Sequence, residues 1–164
     1  MAKKIDPLNK KNYGAVSVSV TVTDMQGAAA FYKQAFGFKQ TVSMKGPDGK
    51  PMHIELRLRD TSLMLSAENP QRGNISAKTL GNSPVTLYLL SENTDKTVAK
   101  AVKLGATQQG PVMDMFWGDR TGNIVDPQGY KWMIATHQSE PTPAEMKKAM
   151  KAMMAQMAAS SGGQ

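Results

Sequence analysis

Residues 14–23 alternate, from Val16 onward, between aliphatic and hydroxyl side chains, and a period of two predicts a strand with one apolar and one polar face. Asp24 then stands where a helix N-cap belongs. Residues 28–36 carry Phe31, Tyr32, Ala35 and Phe36 on one side, and Gly37 suits a left-handed C-terminal position, so the spacing predicts a helix. Strand-like pieces follow at 38–44, 51–59 and 61–67, separated by the turn Gly46-Pro47-Asp48-Gly49 and a tight corner at Asp60. The order is βαβββ. Residues 68–82 are polar and rich in breakers, a linker by composition.

The pattern then restarts. Residues 84–90 read as a strand, Asn93 or Thr94 caps a helix carrying Val98, Ala101, Val102 and Leu104 up to Gly105, and strands are predicted at 106–113, 116–125 and 130–136. A displacement of 69 residues lays Val16-Ser17-Val18 on Val85-Thr86-Leu87 and Leu63-Met64-Leu65 on Trp132-Met133-Ile134. The fold class is therefore α+β: two tandem βαβββ modules, 14–67 and 83–136, forming a cupped mixed sheet. A unit of this size buries too little surface alone, so the two are expected to share one domain, 14–137. Residues 1–13 are expected to be a flexible basic arm. The tail, 138–164, opens a helix at Thr142-Pro143-Ala144-Glu145, a capping box with proline at the first position. Met146, Met150, Met153, Met154 and Met157 form a stripe along that amphipathic helix, 143–159, which needs cover from the same domain or a second subunit; 160–164 are expected to be disordered.

Composition changes this picture little. The 164 residues carry a net charge of +7, but 1–12 hold four Lys and one Asp, and 140–164 three Lys and two Glu. The body is only mildly basic, so no nucleic-acid partner is expected. No run approaches the roughly 20 apolar residues of a membrane span, and with no cysteine there is no disulfide or thiolate chemistry. A cytoplasmic protein with no membrane partner is expected.

If the helices cover the aliphatic faces, the polar faces are left free. They carry Ser17, Ser19, Thr21, His53, Glu55, Arg57, Ser62, Met64 and Ser66 from the first module, and Thr86, Tyr88, Lys131, Met133 and Ala135 from the second, with Phe116 or Trp117 nearby. Hydroxyls, thioethers, aromatics and a few charges suit a small-molecule site, for which the expected lining is Ser17, Ser19, His53, Glu55, Arg57, Met64, Thr86, Tyr88, Trp117, Asp119 and Met133. Trp117 would stack on a planar ligand and Asp119 accept a hydrogen bond. His137 falls just beyond the last strand, and Asp126-Pro127-Gln128-Gly129 is a turn by its own chemistry.

Several segments, taken in order, resemble one family. They are Phe31-Tyr32-Lys33-Gln34-Ala35-Phe36-Gly37-Phe38 after Asp24, His53-Ile54-Glu55-Leu56, Gly105-Ala106, and the run from Phe116-Trp117-Gly118-Asp119-Arg120 through Asp126-Pro127-Gln128-Gly129-Tyr130 to Trp132. Together they are similar to the vicinal oxygen chelate superfamily of glyoxalase I, extradiol dioxygenases and fosfomycin- and bleomycin-resistance proteins, and in particular to its PhnB-like branch. The resemblance covers 14–146 and implies the two-module cup and a homodimer. Metal-using members hold a divalent ion with His, Gln or Glu at four equivalent strand positions, which here fall on Ser17, Met64, Thr86 and Met133. Hydroxyls and thioethers are poor ligands for zinc, nickel or iron. The resemblance thus implies a protein that binds a small organic or antibiotic-like ligand with no metal cofactor and no assigned catalytic residue. The alternative is a lyase, isomerase or dioxygenase with a divalent metal ion at other residues, such as His53, Glu55 and Asp119.

Overall fold

The computed structural model describes residues 6–9 and 11–161, with side chains described to residue 155. The elements run β1 (Val18–Val22), α1 (Met25–Phe36), β2 (Lys39–Lys45), β3 (Pro51–Leu58), β4 (Thr61–Ala67), α2 (Ala77–Leu80), β5 (Thr86–Leu90), α3 (Thr94–Lys103), β6 (Thr107–Gln108), β7 (Met113–Asp114), β8 (Asp119–Val125), β9 (Lys131–His137) and α4 (Pro143–Ser161). They form two sheets of mixed direction, ordered β1-β4-β3-β2 and β5-β9-β8-β6, with β7 also pairing β8. In each sheet the first and last strands of a module lie parallel and the others antiparallel. The repeat extends to the register: Val18↔Leu63 recurs as Leu87↔Trp132, each partner displaced by the same 69 residues.

Local chemistry explains the elements. The Asp24 carboxylate accepts from the Gly27 N–H at 2.9 Å and caps α1, and Gly37 closes it at φ +81°, where a side chain would be strained. Asn93 caps α3 in the same way. Val20, Val22, Ile54, Leu56, Leu63 and Leu65 from the first sheet meet Phe31, Tyr32 and Phe36 in a core that continues through Leu89, Ile124, Trp132 and Ile134 of the second. The Tyr32 and Phe36 rings lie 5.5 and 4.7 Å from that of Trp132, so the two modules share their apolar interior.

Three expectations shift in detail. β1 begins at Val18 and not at 14, because its pairing with β4 starts there, which leaves Ser17 just outside the strand. The predicted strand 106–113 is interrupted at Gly110-Pro111 into two short pieces. The segment read as a plain linker carries a 3₁₀ turn, Pro70–Arg72, and α2, whose Ala77 is buried. In α4, Met146 and Met153 are half-buried and Met150 and Met154 exposed; Met157, residues 1–5 and 10 of the arm, and 162–164 lie outside the described residues or side chains.

β2 is an outer strand whose seven residues are all exposed, with register shifts against β3 between Gln40 and Val42 and between Met44 and Lys45.

Candidate functional site

The expected lining residues divide between the two sheets. On the first, Ser19 and Glu55 flank Met64, His53 lies opposite Ser66, and Arg57 opposite Ser62. On the second, Thr86 lies opposite Lys131, Tyr88 opposite Met133, and Asp119 opposite His137. Each set shares the face turned away from the apolar core, because residues in register point to the same side of a sheet.

The second set has a centre. Asp119, 8% exposed, accepts hydrogen bonds at Oδ2 from Tyr88 Oη at 2.6 Å and Trp117 Nε1 at 3.0 Å, while its Oδ1 lies 2.8 Å from His137 Nδ1. His137 Nε2 is 3.6 Å from Glu140. Donation by Tyr88, then His137 and Trp117, holds the Asp119 carboxyl below its ordinary value against the opposing cost of burial. The hydrogen bond to Asp119 raises His137, and for Tyr88 partial desolvation, followed by the bond to Asp119, pushes the phenol up to about 12. Near neutrality the result is an ionised Asp119 holding a phenol, an indole and an imidazole in fixed orientations.

A groove of about 360 Å³ runs between the modules and shares Tyr88 with this cluster. Val18, Leu58 and Leu63 form one wall and Leu87, Leu89 and Trp132 another, with Arg59, Asp60, Thr61, Thr86 and Tyr88 as its polar groups. Arg59 reaches it from the β3–β4 turn at φ +54°, unusual for a residue with a side chain, and donates from Nη2 to the Leu90 carbonyl. Of the eleven expected lining residues, Thr86 and Tyr88 line this groove.

The four positions that the resemblance sets against metal ligands carry side chains poorly suited to zinc, nickel or iron. Ser17 and Thr86 offer neutral hydroxyls and Met64 and Met133 thioethers. Nor do His53, Glu55 and Asp119 assemble an alternative. His53 and Glu55 lie on β3 of the first sheet and Asp119 on β8 of the second, and among the described residues no group of three or more His, Asp or Glu side chains is placed to hold an ion.

One expectation is corrected here and one residue of consequence escaped the sequence reading. His137, expected just beyond the last strand, is the final residue of β9, where it continues the period-two row of Lys131, Met133 and Ala135 and pairs with Asp119 opposite. Tyr13 sits in a segment without periodicity, yet its hydroxyl donates to Glu55 at 2.9 Å.

The Asp119–His137 contact has a direct test. With two histidines in the chain, an NMR titration, assigned with a His53→Gln variant, is expected to place His137 above its ordinary 6.5 and to bring it back toward that value in Asp119→Asn. Since the folded value is raised, the stability this contact supplies is fully present below the unfolded value and is lost as pH rises through the folded one. An unchanged His137 titration in Asp119→Asn would show that the contact is absent in solution.

Comparison with known proteins agrees with this architecture. Residues 14–134 match the family described as Glyoxalase/Bleomycin resistance protein/Dioxygenase superfamily. An uncharacterized protein of Mycobacterium bovis is 33% identical over 139 residues, 83% of this chain and 91% of that protein. A glyoxalase/bleomycin resistance protein/dioxygenase family enzyme from Burkholderia phytofirmans PsJN superimposes with a TM-score of 0.60 at 21% identity, over 74% of this chain and 96% of that one. The fosfomycin resistance protein FosX from Mesorhizobium loti does so with a TM-score of 0.57 at 12% identity, over 80% of this chain and 95% of that one. At these identities the structural likeness is one of fold.

Proposed function

We propose, from the premise that the chain belongs to the glyoxalase/bleomycin resistance protein/dioxygenase superfamily, that it binds a small organic or antibiotic-like ligand without a metal, as a homodimer of the PhnB-like kind. The observation that carries this reading is the anchoring of Tyr88, which lines the apolar groove, on an Asp119 that also holds Trp117 and His137, while the four positions that correspond to the ligands of metal-using relatives hold Ser17, Met64, Thr86 and Met133. Apolar walls with a few fixed polar groups are what a small-molecule site requires. Covering the partly exposed Leu58, Leu87 and Leu90 of the groove would supply affinity, at about 25 cal/mol per Å² of apolar surface covered. Tyr88, held by Asp119, would present its ring without a further loss of side-chain freedom on binding. Thr86 offers a hydroxyl for orientation.

Protein purified without chelator is expected to contain no stoichiometric zinc, nickel, manganese or iron. A panel of small organic compounds screened by thermal shift is expected to yield ligands whose effect falls at least about tenfold in affinity in Tyr88→Ala, since a pocket-lining aromatic contributes on the order of 1–3 kcal/mol. One tightly held ion per chain would overturn the metal-free reading, and ligands indifferent to Tyr88→Ala would move the site elsewhere. Sedimentation is expected to show a dimer.

A further inference from the structure

Part of the free face of the first sheet, around Glu55, Arg57 and Ser62, is already occupied. Tyr13 Oη donates to Glu55 Oε2 at 2.9 Å, and Ser62 Oγ lies 3.4 Å from Oε1 and 3.5 Å from the Asn12 carbonyl. Arg57 donates from Nη1 to the Asn12 carbonyl and from Nη2 to the Lys11 carbonyl at 3.3 Å. Glu55 is only 6% exposed and Ser62 fully buried. Among the described residues Glu55 forms no ion pair; its donors are the Tyr13 phenol and the Ser62 hydroxyl.

A carboxylate in the middle of a sheet is costly to bury unless donors reach it. Here the closest donor is a phenol, delivered by a segment that belongs to neither a strand nor a helix. That segment is held by the guanidinium of Arg57 on two successive backbone carbonyls and by the turn bonds from the N–H groups of Asn12 and Tyr13 to the Asn9 carbonyl. None of the groups presented to the sheet is peculiar to a polypeptide. An aromatic alcohol with a nearby amide or ester carbonyl offers the same set.

We propose that the first-module face is a recognition site for phenolic small molecules, in which Glu55 accepts the phenol hydroxyl and Arg57 grips a neighbouring carbonyl, and that Tyr13 and Asn12 hold that place in cis. The inference rests on the reading of the free sheet faces as a ligand surface and names the chemistry of one half of it. The tether makes the arm a competitor at high effective concentration, so a free phenol meets a site that is mostly filled and binds more weakly by the fraction left open.

Vacating the place tests this in the full chain. Tyr13→Gly is expected to bind p-cresol in a 1:1 calorimetric titration at least about tenfold more tightly than wild type does, and at least about tenfold more tightly than it binds toluene, since a bond to a charged acceptor distinguishes the two. Adding Glu55→Met is expected to erase the preference for p-cresol, and Glu55→Gln, which keeps an acceptor without the charge, to reduce it. In the wild-type chain, saturating N-acetyl-L-tyrosinamide is expected to speed hydrogen exchange at Asn12 and Tyr13 as the arm is displaced, and N-acetyl-L-phenylalaninamide is not; this arm needs no variant. Equal p-cresol affinity in wild type and Tyr13→Gly, a preference that survives Glu55→Met, or equal effects of the two amides on exchange would each overturn the proposal. A compound from the thermal-shift panel that binds wild type and Glu55→Met alike, alongside any of those failures, leaves the broader reading standing and removes only this one.

Discussion

Asp126→Ala is expected to lower stability by roughly 4 kcal/mol, or about 8–16 °C in Tm for a chain of this size. The carboxylate is 4% exposed and takes four hydrogen bonds: at Oδ2 from Tyr32 Oη at 2.6 Å and Trp132 Nε1 at 2.8 Å, and at Oδ1 from the N–H groups of Gln128 at 2.8 Å and Tyr130 at 3.0 Å. Alanine would leave all four donors without their acceptor, and a buried donor without an acceptor loses its full solvation. Tyr32 belongs to α1 of the first module and Trp132 to β9 of the second, so the loss falls on the joint between modules. The same turn carries the other links: Gln128 Oε1 accepts from the Thr23 N–H at 3.0 Å, and Tyr130 Oη donates to the Thr21 carbonyl at 2.8 Å. Burial pushes the Asp126 carboxyl above its ordinary value, outweighing these donors. The native state therefore keeps the proton to a higher pH than the unfolded chain, and the group's contribution declines as pH rises through that window. The gap between wild type and variant should accordingly be wider near pH 4 than near pH 7. Calorimetry at both values checks this, and a loss below about 1 kcal/mol at both would mean that the joint does not depend on Asp126.

Gly118→Ala is expected to cost about 3 kcal/mol and to disorganise the Asp119 cluster at the same time. Gly118 has φ +98°, and a Cβ there would lie 2.1 Å from the Ser139 carbonyl oxygen and 2.8 Å from Pro141 Cδ. Its own carbonyl accepts from the N–H groups of Gln138 and Ser139 at 3.0 and 3.1 Å. The two segments are thus pinned backbone to backbone, and neither can retreat without breaking those bonds. Because Trp117 and Asp119 flank the glycine and His137 adjoins Gln138, relief of the clash must move parts of the cluster. A Tm lower by about 6–12 °C, together with a His137 titration shifted toward its ordinary value, is the expected signature. Wild-type stability and an unaltered titration would show that the loop accommodates the methyl group.

What could be read from the sequence was what is local. Asp24 and Gly37 mark the ends of α1 because a cap is chemistry within one turn, and the alternation through Val18, Val20 and Val22 reveals a two-faced strand because side chains alternate along it. The 69-residue displacement was legible because the modules repeat both pattern and register. Partners distant in sequence were not. Asp126 read as a turn residue, which it is, but nothing near it announces Tyr32, 94 positions away. Tyr13 lies in a run of Lys and Asn with no period, so neither its fixed place nor its bond to Glu55, 42 positions on, was visible. The polar faces were identified residue by residue, but the pattern says which side of a sheet a residue takes and not how two sheets are inclined. The expected lining therefore separates into two groups, with the groove at the module junction touching only Thr86 and Tyr88.

The outer strand β2 has a consequence for how copies of this chain behave together. Seven exposed residues along an unpaired edge would ordinarily invite another chain to add a strand, and Val42 and Met44 would favour it. The two register shifts interrupt the straight row of N–H and C=O groups that such an addition needs, and the lysines at each end, Lys39 and Lys45, would set like charges side by side in an antiparallel or parallel pairing of identical edges. The irregularity that spoils ideal geometry at this border is thereby expected to disfavour edge-to-edge polymerisation of concentrated protein.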